Sequence, residues 1–298
     1  MSATTAVTPE LLRGMPLPRH QDGDDKDERG RVLVVAGSIE VPGAALLCGT
    51  AALRAGAGKL QVATCRSVAP HLGIALPEAL VMGLEETAAG GIDPREAQRL
   101  RERGERCDAV LIGPGMADGA AVAALTAELL DGLDRPALVL DAQALARLSV
   151  SPDLVRGRNG RVVITPHAGE MATLLGIPRD EVLADPLGAA HRAAALLGCV
   201  VAMKGGCTYI VSPEGEAWSC SRGNVGLATS GSGDTLAGII TGLLARGAAP
   251  VCATIWGVFL HGEAGRRLAE TQGPLGFLAR ELLAEIPCIL SGFQDEAG

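Results

Sequence analysis

Gly223-Asn224-Val225-Gly226-Leu227-Ala228-Thr229-Ser230-Gly231-Ser232-Gly233-Asp234 leads straight into Thr235–Leu244, an Ala/Leu/Ile-rich run that reads as a buried helix. Small residues at Gly231, Ser232 and Gly233 let backbone N–H groups come close to a bound anion. A helix starting near Asp234 adds its positive N-terminal end to the same spot. A carboxylate among those donors repels phosphate, so Asp234 makes a poor anion binder. It makes a good base, taking a proton from an acceptor hydroxyl while the amides hold a transferring phosphoryl group. On spacing alone a second reading stands beside this one, an N-cap or first-turn acid.

Outward from that stretch, the 298 residues allow one large α/β domain or two small ones. Hydrophobic residues make up 48% and aromatics only 2%, so the core has to be built from closely packed Ala, Val, Leu and Gly. A net charge of −8 with no basic stripe argues against nucleic-acid binding. Eight cysteines are scattered without a Cys-x-x-Cys pair, which suggests neither a zinc site nor a disulfide framework. Most are expected to be small buried residues in a reducing cytoplasm. Met1 to Val7 carries no basic region followed by an apolar stretch, and no apolar run reaches the ~18 residues of a membrane span. The expectation is a soluble, cytoplasmic protein.

The chain then alternates. Thr8-Pro9-Glu10 reads as a capped helix start and Asp22–Arg29 as a solvated charge run. Arg31–Ala36, Gly43–Ala55 and Lys59–Thr64 form a βαβ unit, the building block of a parallel sheet. Further strands are expected at Ala109–Ile112, Ala137–Asp141, Arg161–Thr165 and Val200–Met203, each a short aliphatic run suited to burial on both faces. Helices fall between them at Pro94–Arg106, Ala120–Leu130, Ala168–Leu175 and Pro186–Leu197. Cys207–Ser212 and Glu216–Cys220 flank Pro213-Glu214-Gly215 and read as a hairpin, hence an antiparallel edge. The remainder is helical, with Pro250 opening one helix and Leu278–Ile286 forming the last. The expected architecture is one three-layer αβα domain over residues 1–298, with 1–29 as an N-terminal arm and a mostly parallel central sheet.

Ligands of open parallel sheets bind beyond the carboxyl ends of the strands. Those ends carry Gly37-Ser38, Gly113-Pro114-Gly115, Asp141, Thr165-Pro166-His167-Ala168-Gly169-Glu170 and Lys204-Gly205-Gly206. Each has an ordinary alternative: a turn for Gly113–Gly115, a satisfied loop histidine for His167, a helix cap for Asp141. Lys204 is harder to dismiss, because a lysine ending a buried strand needs an anionic partner or solvent. Neither Gly-x-x-x-x-Gly-Lys-Ser/Thr nor Gly-x-Gly-x-x-Gly after the first strand is present, so a nucleotide has to be held otherwise, with Gly231–Gly233 as the candidate. No metal-ligand spacing is seen, and magnesium, if needed, would arrive with the phosphates.

Together and in order these segments, with Gly30–Ser38, Leu53–Gly58, Leu140-Asp141-Ala142 and Leu260-His261-Gly262, resemble the ADP- or ATP-dependent NAD(P)H-hydrate dehydratases of the ribokinase-like superfamily, over about residues 8–290. The resemblance implies repair of hydrated NADH or NADPH, in which the terminal phosphoryl group of a nucleotide passes to the C6 hydroxyl and phosphate then leaves. Carried over position by position, Asp234 matches the base, Gly231, Ser232 and Gly233 the anion hole, and Lys204, Gly205, Gly206, Cys207 and Thr208 the nucleotide segment. Ala44, Gly115, His167 and Asn224 match positions at the hydrated dinucleotide. The resemblance also implies Mg²⁺ with ADP or ATP, ADP being favoured, a homo-oligomer such as a tetramer, and a separate epimerase for the other substrate epimer. Met116-Ala117 after Gly-Pro-Gly, Cys207 and Val225 depart from the family's usual residues. The rivals are a small-molecule kinase of the same superfamily, acting on a sugar, hydroxymethylpyrimidine or hydroxyethylthiazole, and a binding or regulatory protein that keeps the fold without turnover.

Overall fold

The computed structural model describes residues 4–19, 23 and 25–293. In chain order the strands are β1 (Thr5–Ala6), β2 (Arg31–Val35), β3 (Lys59–Cys65), β4 (Ala79–Leu84), β5 (Ala109–Ile112), β6 (Ala137–Leu140), β7 (Val162–Ile164), β8 (Val200–Met203), β9 (Thr208–Val211) and β10 (Ala217–Cys220). The helices are α1 (Pro9–Arg13), α2 (Gly43–Arg54), α3 (Ala69–Ala75), α4 (Ala97–Gly104), α5 (Gly119–Gly132), α6 (Pro152–Arg156), α7 (Ala168–Leu175), α8 (Arg179–Ala184), α9 (Pro186–Leu197), α10 (Ser232–Ala245), α11 (Pro250–Gln272) and α12 (Ala279–Ser291). The strands form one sheet in the order β1-β10-β9-β8-β7-β6-β5-β2-β3-β4. β9 alone runs against the rest, pairing antiparallel with both β8 and β10, while β1 lies parallel to β10.

Alternation within β2 explains the three layers. Val32 and Val34 enter a core shared with α2, α10, α11 and α12, whereas Leu33 and Val35 enter the opposite core shared with α4, α5, α7 and α9. A strand buried on both faces has to be apolar throughout, and β5 and β8, buried at every residue, are built in the same way. α10 is apolar all round, with twelve of its fourteen residues buried, as a central helix requires. It lies directly on α2. A Cβ at Gly238 or Gly242 would run into the backbone carbonyl of Cys48 or Ala52, so only glycine allows this spacing.

Several boundaries differ from the sequence expectations. Pro94–Glu96 is a separate 3₁₀ turn ahead of α4, with Asp93 accepting from Arg95 N at 2.9 Å. β4 and the two-residue β1 were not expected; both lie at sheet edges, where a short or half-exposed strand carries little hydrophobic signal. The charge run is not simply a solvated loop: Asp27 pairs with Arg31 (2.8 Å) and with Lys59, clamping the starts of β2 and β3. Asp22 and Asp24 of that run, and Met1 to Ala3, lie outside the described residues. The N-terminal arm is woven into the body through β1, through buried Leu12, and through the Trp256 indole, which donates to Met15 O at 2.7 Å. Five cysteines are buried, Cys207 and Cys252 are half-buried and Cys288 is exposed, all as free thiols.

Candidate active site

The carboxyl ends of β6, β7 and β8 supply a compact charged cluster. Lys204 Nζ lies 2.8 Å from Asp141 Oδ1 and 3.7 Å from Glu170 Oε2. Thr165 Oγ1 donates to the same Asp141 oxygen at 2.7 Å. Asp141, with its side chain only 3% exposed, is therefore the counter-ion of Lys204, and its side chain caps no helix. Burial pulls the Lys204 ammonium down, but Asp141, Glu170 and Asp234 together outweigh it and hold the group above its ordinary value. The strand-ending lysine thus has the anionic partner it needs.

His167 and Glu170 form a capping box at the start of α7. His167 Nδ1 accepts from the amides of Gly169 (3.0 Å) and Glu170 (3.1 Å), while Glu170 Oε2 accepts from His167 N at 2.8 Å. The histidine is both a cap and a cavity residue.

Across from this cluster, α10 begins after Gly231, whose φ of 86° is a conformation that favours glycine. Ser232 N donates to Thr229 O, and Thr235 N returns to Gly231 O. The amides of Gly233 and Asp234 have no protein acceptor among the described hydrogen bonds, which leaves them for a ligand. A Cβ on Gly233 would stand 3.3 Å from Lys204 Nζ, so the ammonium overlooks the same helix start. Burial, reinforced by Asp141, raises the Asp234 carboxyl to about 6, with Lys204 opposing the shift.

A cavity of about 850 Å³ opens here. His167, Lys204, Gly205, Gly206, Thr208, Asn224, Ser232 and Gly233 line it. Gly231 and Asp234 flank Ser232 and Gly233 in the chain and are not themselves among the lining residues. Cys207 sits on the β8–β9 turn without lining the cavity. Ala44 and Gly115 lie elsewhere, packed against each other at the start of α2, where a Gly115 Cβ would strike Ala44. One helical turn on, Cys48 Sγ donates to Asp234 O at 3.3 Å, so α2 leads from the Ala44–Gly115 contact to the Asp234 backbone. Asn224 is largely engaged in structure: Oδ1 accepts from Gly226 N at 2.7 Å and Nδ2 donates to Gly265 O at 2.6 Å, tying its loop to α11.

Two further residues on the cavity wall, Arg222 and His261, were not assigned roles from the sequence. Arg222 Nη1 lies 2.6 Å from buried Glu263, and its guanidinium sits over the Phe259 ring. His261 Nε2 is 2.8 Å from Ser232 Oγ. The signal for His261 was its place in an otherwise apolar helix run, Ile255–Leu260. Among the described residues no three His, Cys, Asp or Glu side chains form a ready metal cage.

A model of a family described as NAD(P)H-hydrate dehydratase matches residues 32–288. The ADP-dependent (S)-NAD(P)H-hydrate dehydratase of Xanthomonas campestris is 49% identical over 284 residues, 95% of each chain. A bifunctional NAD(P)H-hydrate repair enzyme of Moorella thermoacetica is 39% identical over 94% of this chain, which spans only 53% of that longer protein. Among solved structures, the ADP/ATP-dependent NAD(P)H-hydrate dehydratase from Bacillus subtilis, co-crystallized with ATP/Mg²⁺, superposes with a TM-score of 0.84 at 32% identity, covering 97% of this chain and 99% of that one.

Proposed function

The chain belongs to the NAD(P)H-hydrate dehydratase family, and from that premise we propose how its own residues carry out nucleotide-dependent dehydration of (S)-NAD(P)H hydrate. The observation that carries the assignment of roles is Asp234: a carboxylate raised to about 6, in the first turn of a helix whose open N-terminus faces Lys204. ADP is the favoured donor, as the name of the Xanthomonas relative suggests. The Lys204–Thr208 segment and the helix start hold its phosphates, and the hydrated dinucleotide reaches from His167 in the same cavity toward the Ala44–Gly115 contact at the start of α2.

Asp234 accepts the proton of the C6 hydroxyl as that oxygen bonds to the terminal phosphorus and the bridging P–O bond breaks, releasing AMP. The Gly233 and Asp234 amides and Lys204 stabilise the charge on the transferring group. Phosphate, unlike hydroxide, is a good leaving group. The ring nitrogen's lone pair expels it as the C6–O bond breaks, and loss of the C5 proton restores the double bond of NAD(P)H. The sum is NAD(P)H hydrate plus ADP giving NAD(P)H, AMP and phosphate.

Mg²⁺ fits the donor chemistry, since it is commonly bound through one or two carboxylates together with substrate phosphates. Asp141 is occupied by Lys204 and Thr165, and Glu170 Oε2 by the His167 amide, so the other Glu170 oxygen, Oε1, would hold a hydrated ion. When bound, the ion supplies charge neutralisation on the phosphates. Residues 1–298 act as one catalytic domain in the cytoplasm. A separate epimerase supplies the reactive epimer, a pairing supported by the bifunctional relative of about twice the length. The kinase reading shares Asp234 and the helix start, but the family membership favours elimination over a retained phosphate.

Asp234→Asn tests the role assignment. Turnover is expected to fall by orders of magnitude while ADP affinity, measured by calorimetry, stays near that of the parent. Equal turnover in the variant removes Asp234 from the chemistry.

A further inference from the structure

The proposed anion hole contains one hydroxyl, and its proton has two places to go. Ser232 is buried at the first position of α10 with Oγ 2.8 Å from His261 Nε2. His261 comes from α11, 29 residues away, and lines the same cavity as Lys204 and Gly233. If Nε2 is bare, the single Ser232 proton goes to the ring, and only oxygen lone pairs face a phosphate. If Nε2 carries hydrogen, Ser232 accepts from the ring and its own proton is released toward the cavity. Burial, with Lys204 acting in the same direction, lowers His261 to about 4 against a hydrogen bond at the Ser232 backbone, so near neutral pH the ring is uncharged and must adopt one tautomer.

We propose that His261 is a positioning residue, held as the Nε2–H tautomer, that donates to Ser232 Oγ and thereby turns the Ser232 hydroxyl into a hydrogen-bond donor for a nucleotide phosphate. The inference rests on the reading of Gly231–Asp234 as the phosphoryl site. The surroundings favour this direction of donation. The open Gly233 and Asp234 amides and the Lys204 ammonium are all donors, which suits an acceptor-only phosphate. A lone pair presented among them would repel the ligand they attract. A simple tie between two helices would be satisfied by either tautomer, so the direction of the proton separates the two explanations.

Three variants and one spectrum decide it. His261→Gln offers an amide N–H near the position of Nε2–H, His261→Leu offers none, and Ser232→Ala removes the relay's end. In calorimetric titrations with Mg²⁺ and ADP, His261→Leu and Ser232→Ala are expected to weaken binding by roughly 10- to 100-fold, the loss of one hydrogen bond to a charged group. His261→Gln should recover most of it, and the double variant Ser232→Ala/His261→Leu should bind no more weakly than Ser232→Ala alone. In steady state the loss should fall on KM for ADP more than on kcat. A long-range ¹H–¹⁵N spectrum of the histidine-labelled parent protein should show His261 as Nε2–H, a readout that depends on no variant folding. The Nδ1–H tautomer, undiminished ADP binding in His261→Leu, or His261→Gln as weak as His261→Leu each overturns the proposal. A parent protein that binds neither ADP nor ATP overturns the phosphoryl-site reading and this inference with it, whereas unchanged binding in His261→Leu overturns this inference alone.

Discussion

A carboxylate raised to about 6 sits where a general base is most effective near neutral pH, and its cost is legible in the same group. The logarithm of kcat/KM is expected to rise with pH, level off above about 6, and lose that inflection in Asp234→Asn. Lys204 lowers the Asp234 value, so Lys204→Met should move the inflection of any residual activity to higher pH. The linkage to stability runs the opposite way to an ordinary ion-paired carboxylate. The folded form holds its proton up to about 6 against 3.8 for the reference group, so stability falls as pH rises between those values and the full penalty applies above them. Asp234→Asn should therefore unfold at higher denaturant concentration than the parent at pH 7, by up to about 3 kcal/mol, and the gap should close near pH 4. A gap of the same size at both pH values contradicts this origin. At this scale the sequence singled out Asp234, Lys204 and the Gly231–Gly233 turn, because strand ends and helix starts are local features. It left Asp141 open between a ligand-site residue and a helix cap without naming it as the partner of Lys204, and gave no role to His261, because those contacts join segments far apart in the chain.

Among the elements, α10 carries the most constraint, since one helix both presents Gly233 and Asp234 at its start and fills the core beneath them. Its contact with α2 depends on Gly238 and Gly242, where a Cβ would meet backbone rather than a side chain able to move. Gly238→Ala is expected to cost about 1–3 kcal/mol through overpacking, measured by denaturant unfolding, and to reduce activity by shifting Asp234 relative to α2. Ala123→Ser on half-exposed α5 should stay within about 0.5 kcal/mol of the parent, and a Gly238→Ala effect as small as that contradicts the packing account. The central strands β2, β5 and β8 were readable because burial on both faces leaves an unbroken aliphatic run. β4 was not, with Leu80 48% exposed and Gly83 inside the strand, a mixed pattern that composition alone does not separate from a loop. The hairpin of β9 and β10 was readable from Pro213-Glu214-Gly215, and it accounts for the one strand that opposes the rest.

For the whole molecule, the three layers follow from alternate burial in strands such as β2, which is why the fold class was open to sequence reasoning while the number of strands at the edges was not. A core poor in aromatics is held together by small residues, with Trp256 and Phe259 of α11 packed edge-to-face on Phe293, just past α12, as the main exception. The same small-residue character extends to the surface. A groove of about 300 Å³ on the alanine-rich side of α5 is bordered by Val150, which is 73% exposed. The homotetramer reading predicts a sedimentation mass of four chains, and a monomer at micromolar concentration contradicts it. Nucleotide-dependent dehydration can be followed directly. Its most direct test is to add the purified protein, Mg²⁺ and either ADP or ATP to verified hydrated NADH and follow the near-ultraviolet absorbance of the dihydronicotinamide. The expected result is a rise that requires nucleotide, is supported by ADP, and is accompanied by AMP and phosphate in equal amounts. A flat trace with both nucleotides contradicts it.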